Sequence, residues 1–558
     1  SVGENMTAEK KVFVRKATGL VREIGFVVAV LVVICNVVGL GWQKRAFQFT
    51  GPAPFPETQY VLGLAPITMS FITVGIVVLF TVFVFAILGA AMPRSGGGYV
   101  YISRLIHPFV GFVASWVEYF SIAVSYGLIG TAVFEAVLIY GGIGGVSPEI
   151  MAAISTPTFL FWGGVLFVAI FAIVASLGVA MAGRLLQIMF WIPLAITVLL
   201  YGALMAASPA TMEAGLKAIT GHDATYYTKM ALDQGMATAF TGSYWDAHNI
   251  ACLGSYWAYI GFAASTFVAG EIKEATKTLP RTLFLANGFI VLLYITASYL
   301  AVRASMMVGW VGDWSFFNAY SFLSYGAGAT RPPELPRAWM PVVAAFSAKG
   351  MGWDWLLALI PIFAAFWVAN DIPPFILTSS RIIFAMSFDR VVPESLSAVN
   401  ERFHSPVNAV IFTALVAIIG NLAESDVLAF LGPDNLIYRY INPGGAVLAT
   451  DIWDTIFFLL ASLAGLFFVF AKRGRDIYER SAFKPGVAVV GLIALIATIG
   501  NIWLMYVDFQ ASAAWTEAWY FTVELLVVGA LIYLVYKYVV GKRAGVDYTT
   551  IYAEVPPE

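Results

Sequence analysis

The sequence predicts an all-α integral membrane protein of about twelve transmembrane helices, with the first and sixth helices broken in mid-membrane. Three observations predict it. The 558 residues are 60% hydrophobic, 15% aromatic and only 11% charged, with a mean hydropathy of +0.83, outside the range of a soluble domain. Apolar runs of the roughly 20 residues needed to cross a hydrocarbon core recur along the chain. Glycines interrupt two of these runs at corresponding places, Gly39 with Gly41, and Gly261.

In order, the spans fall near residues 23–48, 66–91, 108–140, 158–181, 183–207, 248–272, 281–307, 354–388, 405–421, 446–471, 486–507 and 517–540. The ninth is the shortest, and 422–445 leaves room for a re-entrant piece. Placing the N-terminus inside gathers most of the 31 lysines and arginines on inner segments, among them Lys10, Lys11, Arg15, Lys16, Arg22, Arg94, Arg104, Arg184 and Lys273. Both ends are therefore expected in the cytoplasm. Residues 1–22 lack the short apolar core and cleavage site of a removed signal peptide, and the triplet Asn5-Met6-Thr7, although of glycosylation form, falls on the cytoplasmic side.

Two outer segments, 208–247 and 308–353, are rich in Gly, Pro, Trp, Tyr and acids and are expected to fold over the outer face. A ligand cap or contacts with surface proteins are alternatives to a purely structural layer. The near-balanced net charge of -2 argues against a nucleic-acid partner, and four histidines and two cysteines are too few and scattered for a metal cluster. Cys35 and Cys252 lie in apolar segments and read as buried free thiols.

The two interrupted spans carry the functional signal. A broken helix exposes N–H groups on one side and carbonyls on the other, each polarity reinforced by the helix dipole. A zwitterion fits both, its carboxylate on the N–H groups around Leu40 and Gly41 and its ammonium on the carbonyls of Tyr259 or Ile260. Small residues also serve close helix packing in membranes. One such glycine favours packing, whereas two breaks at matching places favour a ligand site.

Four stretches then carry a resemblance to the amino acid-polyamine-organocation family of transporters. "MPRSGGGYVYISRLIHPFVGFVASW" (Met92–Trp116) resembles the link between spans two and three, and "YIGFAASTFVAGEIKEATKTLPR" (Tyr259–Arg281) resembles span six. "SSRIIFAMSFDRVVPESLSAVNERFHSPVNAVI" is similar to the end of span eight through span nine, and "NVVGLGW" is similar to the broken first helix. The tail from 422 matches only in outline.

The resemblance implies two inverted five-helix repeats plus two C-terminal helices, the LeuT-like fold, working by alternating access. The chain then divides into a cytoplasmic segment 1–22, a first repeat 23–207, an outer segment 208–247, a second repeat 248–471, helices eleven and twelve within 472–541, and a cytoplasmic tail 542–558. Carried over position by position, Val38, Gly39, Leu40 and Gly41 hold the substrate carboxylate, and Tyr259, Ile260 and Gly261 hold its amine. Trp257, Phe262 and Ala263 form the lid and side-chain pocket. Arg45 resembles an outer-gate arginine that pairs with an acid when the gate shuts; the other reading of Lys44 and Arg45 is interfacial snorkelling. One departure is clear: where many proton-coupled members carry a lysine in span five, this chain has Pro193.

Ionisable residues inside a membrane are costly and mark function by default. Asp371, with Asn370 beside it and Pro373 and Pro374 after it, lies about 15 Å along a helix from Arg381. The prolines should free nearby carbonyls, so Asn370 and Asp371 are the expected ion-coupling site, by sodium or a proton, with a structural ion pair or kink as the alternative. Glu118 is expected to pair with Arg94, Arg104 or Arg184, and Glu135 to be solvated near the outer surface; Glu524 lies in the last span. Arg94, Gly96, Gly97, Gly98, Glu271, Arg381 and Asp389 form the expected inner gate.

The expected function is secondary transport of amino acids across the plasma membrane, ion-coupled or by exchange. A pocket without an evident acid near Phe262 points to neutral, apolar side chains. Cationic amino acids or polyamines are the alternative, as is an amino acid sensor that does not transport. No cofactor is expected beyond a coupling ion, and no hydrolase, zinc-protease or phosphate-loop motif suggests an enzyme.

Overall fold

Twelve spans follow from where the chain supplies uninterrupted apolar helix and where proline, glycine or a capping residue ends it. The computed structural model describes residues 12–39, 41–445, 449–513 and 516–557. Leu40, Lys10, Lys11 and the Asn5-Met6-Thr7 triplet lie outside these residues. Eleven helices among them are long and apolar enough to cross a membrane, and the sixth span, interrupted, makes the twelfth.

The second, third and fourth spans, Pro66–Ala91, Pro108–Gly144 and Pro157–Ser176, each open with proline in the first turn, where its missing N–H costs nothing. Val179–Met205 is the fifth and Ala275–Met306 the seventh. The ninth to twelfth are Val407–Ser425, Thr450–Phe470, Val487–Ser512 and Thr516–Val535. The seventh starts earlier than expected, at Ala275, because Pro280 sits in its second turn without ending it. Residues 422–445 hold no re-entrant span, only the turn Ala429–Leu431 and the short helix Leu436–Tyr440, whose side chains are partly or fully exposed.

Three spans are discontinuous. The first is Phe26–Val37 then Gly41–Gln48. The sixth is Tyr244–Tyr259 then Ala264–Phe267. The eighth is Asp354–Ala369 then Ile372–Phe388, parted at Asn370 and Asp371. The third break follows from Pro373 and Pro374: neither has an N–H for the carbonyl four residues earlier.

Packing pairs the spans reciprocally. The second packs on the seventh; the first packs on the seventh while the sixth packs on the second; the third packs on the eighth and ninth while the fourth packs on the eighth. Exchanging each of the first five spans for its counterpart five later reproduces these pairs, which is the relation expected of two repeats.

The segments 208–247 and 308–353 lie on one face and interlock. Met340–Gly350 packs on Pro209–Thr220, and Phe316–Tyr325 on Ala224–Asp233. The crossing is backbone to backbone: a Cβ on Gly215 would strike the Phe346 carbonyl, and one on Gly350 the Thr211 carbonyl. The opposite face carries residues 12–25, the links 92–107 and 389–406, and residues 544–557.

Candidate functional site

The two helix breaks meet at the centre of the bundle and are tied to each other. Val38 leaves helical geometry (ψ 87°), and the second half of the first span starts at Gly41. In the sixth span Ile260 turns extended (ψ 140°) and Gly261 adopts φ +101°, a conformation that suits glycine alone. The Asn36 amide donates to the Gly261 carbonyl at 3.4 Å, and a Cβ at Gly261 would collide with Asn36. The Tyr294 hydroxyl lies 2.8 Å from the Val37 carbonyl and 2.9 Å from that of Ala258, so a single donor serves the ends of both half-helices. Asn287 donates to the Phe262 carbonyl at 3.0 Å, and Gln43 to that of Gly39 at 3.0 Å. Asn36 heads the stretch NVVGLGW at the first break; no motif assigns Tyr294, Asn287 or Gln43 to the breaks, and only their membrane depth marks them.

A cavity of about 430 Å³ opens beside the breaks. Of the residues expected to hold substrate, Gly41, Trp257, Ile260 and Gly261 line it, together with Asn36 and Val37. Val38 and Ala263 are fully buried and do not line it. Gly39 sits against the Asp371 carboxylate, which a Cβ would strike. Tyr259 points away, its hydroxyl donating to the Phe71 carbonyl at 2.8 Å. Phe262 is behind the wall, 4.5 Å from the ring of Phe458, and Phe458 is the aromatic that reaches the cavity.

Asp371 lines the cavity at the break of the eighth span, is 4% exposed, and its Oδ1 has no hydrogen-bond partner among the described residues. Asn370, beside it, also ties two spans together through its amide N–H. Pro193 has no N–H for the Met189 carbonyl, and the Asn370 amide donates to that carbonyl at 3.3 Å, tying the fifth span to the eighth. Its Oδ1 has no partner among the described residues.

Acids are present in the cavity, contrary to expectation. Glu118, Asp451 and Asp454 line it. Glu118 meets the Asp454 side chain, which accepts from Ser121 at 2.7 Å. The expected pairing of Glu118 with Arg94, Arg104 or Arg184 does not occur, because its helix turns it inward toward the tenth span.

Comparison with known proteins fits this architecture. A family model described as "Amino acid permease" matches residues 24–531. The chain belongs to the amino acid permease family. It is 25% identical to the branched-chain amino acid permease BcaP of Bacillus subtilis over 529 residues, covering 93% of each chain. It is 26% identical over 255 residues to cationic amino acid transporter 7, chloroplastic, of Arabidopsis thaliana, a match spanning 43% of this chain and 38% of that one. The crystal structure of MhsT in complex with L-phenylalanine aligns with a TM-score of 0.50 at 16% identity, covering 87% of this chain and 98% of that one. The permease thus has the LeuT-like fold of two inverted five-helix repeats and two further helices.

Toward the face of the interlocked segments, the two cations of the first span, Lys44 and Arg45, take different partners. Lys44, rather than Arg45, pairs with an acid: its ammonium lies 3.2 Å from Glu135, whose carboxyl also meets Glu424. Glu135 is therefore engaged, not simply solvated. The Arg45 guanidinium stacks 4.1 Å from the Trp257 ring, and the charges of Asp451 and Glu424 act on it across the cavity. Glu524 is removed from the site, 3.2 Å from the Tyr440 hydroxyl.

On the opposite face the expected gate residues divide into two clusters. Arg381 holds Glu271, and backbone bonds from Ile24 to Glu271 (2.8 Å) and from Lys273 to Ile24 (2.9 Å) zip the N-terminal segment to the end of the sixth span. Gly96 donates to the Phe267 carbonyl at 2.9 Å, and Gly97, at φ +44°, leaves no room for a side chain beside Thr266. Asp389 pairs with Arg104, which the sequence suggests as an inner cation and a partner for Glu118 but not as a gate residue. Arg94 donates to the Pro556 carbonyl at 2.6 Å. Nothing local marks the Arg104–Asp389 pair, whose members lie 285 residues apart.

Proposed function

We propose that this permease is a secondary transporter of amino acids working by alternating access in the plasma membrane, with the zwitterion held between the two helix breaks. The observation that carries the reading is the meeting of those breaks at the wall of one cavity, through Asn36, Gly41, Ile260 and Gly261. The free N–H groups at the start of Gly41–Gln48 suit a carboxylate, and the carbonyl ends near Ile260 suit an ammonium. The cavity reaches from Phe267 and Thr378 to Arg337 and Pro443, while the Glu271–Arg381 and Arg104–Asp389 pairs close the opposite face. With the termini in the cytoplasm, that is an outward-facing state.

Asp371 is the coupling group of this reading, by sodium or a proton, in place of the lysine absent at Pro193. Transport by Asp371→Asn is expected to lose its dependence on sodium or pH; retention of both would exclude Asp371 from coupling.

For the side chain, Ile122, Leu253, Phe375 and Phe458 in the wall support a neutral, apolar substrate, in keeping with the branched-chain preference in the name of the B. subtilis relative. Glu118, Asp451 and Asp454 favour a second reading, a cationic amino acid or polyamine, in keeping with the name of the A. thaliana relative. Competition by the twenty amino acids and a diamine for uptake into sealed vesicles, with and without sodium at two pH values, tests both. Binding without accumulation or exchange would replace transport by sensing.

A further inference from the structure

The segment after the last span does not leave the bundle. It returns across the face that bears the Arg104–Asp389 pair, through the helix Tyr548–Ala553 and the run that follows. Tyr552 is 2% exposed and Ile551 fully buried, so the segment is packed into the bundle rather than laid loosely over it. The contacts form a chain: the Tyr552 and Tyr99 hydroxyls are 2.9 Å apart, and Tyr99 donates to Asp389 at 2.7 Å. The Tyr99 proton is committed to Asp389, so Tyr552 donates to Tyr99. The Arg104 guanidinium lies 4.9 Å from the Tyr552 ring and its Nε donates to the Glu554 carbonyl at 3.2 Å. Arg94 holds the Pro556 carbonyl, and the Tyr548 hydroxyl lies 2.9 Å from the Arg390 carbonyl. Pro556 and Pro557 close a crevice lined by Arg22, Ser95, Gly270 and Ala385.

These partners come from both repeats. Arg94, Tyr99 and Arg104 belong to the link between spans two and three; Asp389 and Arg390 end span eight. A strap fastened to both sides of a gate stabilises the gate shut, and a strap held by carbonyls and two hydroxyls is releasable as a unit. We propose that residues 548–557 are an autoinhibitory strap that locks this face closed and must detach before the cavity can open to it. The inference rests on the alternating-access reading, since a gate that never opens has no use for a lock.

The test reads gate access directly. Thr378→Cys places a thiol in the cavity wall, beyond the Arg381–Glu271 pair as seen from this face, and a specific protease site inserted between Ala544 and Gly545, in the exposed turn, allows the strap to be cut from the folded protein in membrane vesicles. Modification by a membrane-impermeant thiol reagent applied to that face is expected to speed up about five- to tenfold on cutting, with the parent chain, whose Cys35 and Cys252 are buried, as background. Tyr552→Ala should reproduce the effect without cleavage, and Tyr552→Phe, which keeps the ring over Arg104, should give a smaller rise. Unchanged or slower labelling after cutting overturns the strap. Because labelling needs no substrate, faster labelling with no amino acid uptake would keep the strap and overturn the transport reading instead.

Discussion

Arg381 grips Glu271 by two N–H···O bonds of 2.8 and 2.7 Å, with both side chains at most 1% exposed. It joins the end of the sixth span to the second half of the eighth, Ile372–Phe388, the two elements that also form the cavity above it. Removing one member of such a pair strands a buried charge at a cost of about 3–5 kcal/mol. Glu271→Gln is therefore expected to lower the unfolding temperature by several degrees and to reduce uptake at least tenfold. The exchange Glu271→Arg with Arg381→Glu should recover part of the stability; thermal unfolding and vesicle uptake of the three variants check this.

Gly261→Ala is expected to abolish uptake. The position has φ +101° and its Cβ would collide with Asn36, so strain and overlap act together, at about 2 kcal/mol or more. Gly202→Ala is the matched control: it lies in a span, and nothing stands within 4 Å of the added methyl. It should leave uptake unchanged or raise stability slightly. Equal loss in both would show that spans tolerate no added volume at all.

Much of this site is legible in the sequence because its causes are local. Gly261 breaks its helix through backbone preference, Gly39 and Gly41 leave room for Asp371 and Trp257 at the first break, and Pro373 with Pro374 parts the eighth span through missing N–H groups. Asp371 is conspicuous because a carboxylate in an apolar run is expensive. Pairings across the bundle are not local. That Glu118 faces Asp454 rather than an arginine depends on the rotation of the third span, which a run of apolar residues on all sides does not specify. Lys44 and Arg45 are neighbours in sequence yet diverge, one to Glu135 and one to Trp257, because adjacent residues lie about 100° apart around a helix. Pro193 signals a freed carbonyl at Met189, four residues earlier, but the Asn370 amide that satisfies it comes from another span, which no local pattern specifies.

Stability is expected to fall as pH rises through the interval from about 5 to 7, owing to Glu57 in the connection between the first two spans. Burial pushes this carboxyl from its ordinary 4.5 up to about 7, although hydrogen bonds from the Ser315 hydroxyl (2.6 Å) and the Asn318 backbone N–H (3.2 Å) oppose the rise. A folded state that binds the proton more tightly than the unfolded chain loses stability where only the unfolded chain has released it, so the penalty begins near pH 4.5 and is complete above 7. Its size is at most about 3 kcal/mol. Glu57→Gln keeps acceptors for Ser315 and Asn318 without the charge, and should flatten the unfolding temperature between pH 5 and 8. A wild-type profile that is flat or rises in that window contradicts the assignment.

Tyr294→Phe tests whether the two half-helix ends work as one site. The hydroxyl stands between the Val37 and Ala258 carbonyls, and removing it leaves a buried acceptor uncompensated at about 1–3 kcal/mol, equivalent to roughly 5- to 150-fold in an equilibrium constant. The effect should fall on substrate affinity, because those carbonyls end the first half of each broken span beside the cavity. Tyr259→Phe removes a similar buried bond, to the Phe71 carbonyl in the second span, away from the cavity. It should lower the unfolding temperature by a comparable amount and leave affinity alone. Binding of labelled amino acid by both variants, together with their unfolding temperatures, separates the two effects. If affinity falls equally in both, the Tyr294 hydroxyl acts through general packing and not through the paired helix ends.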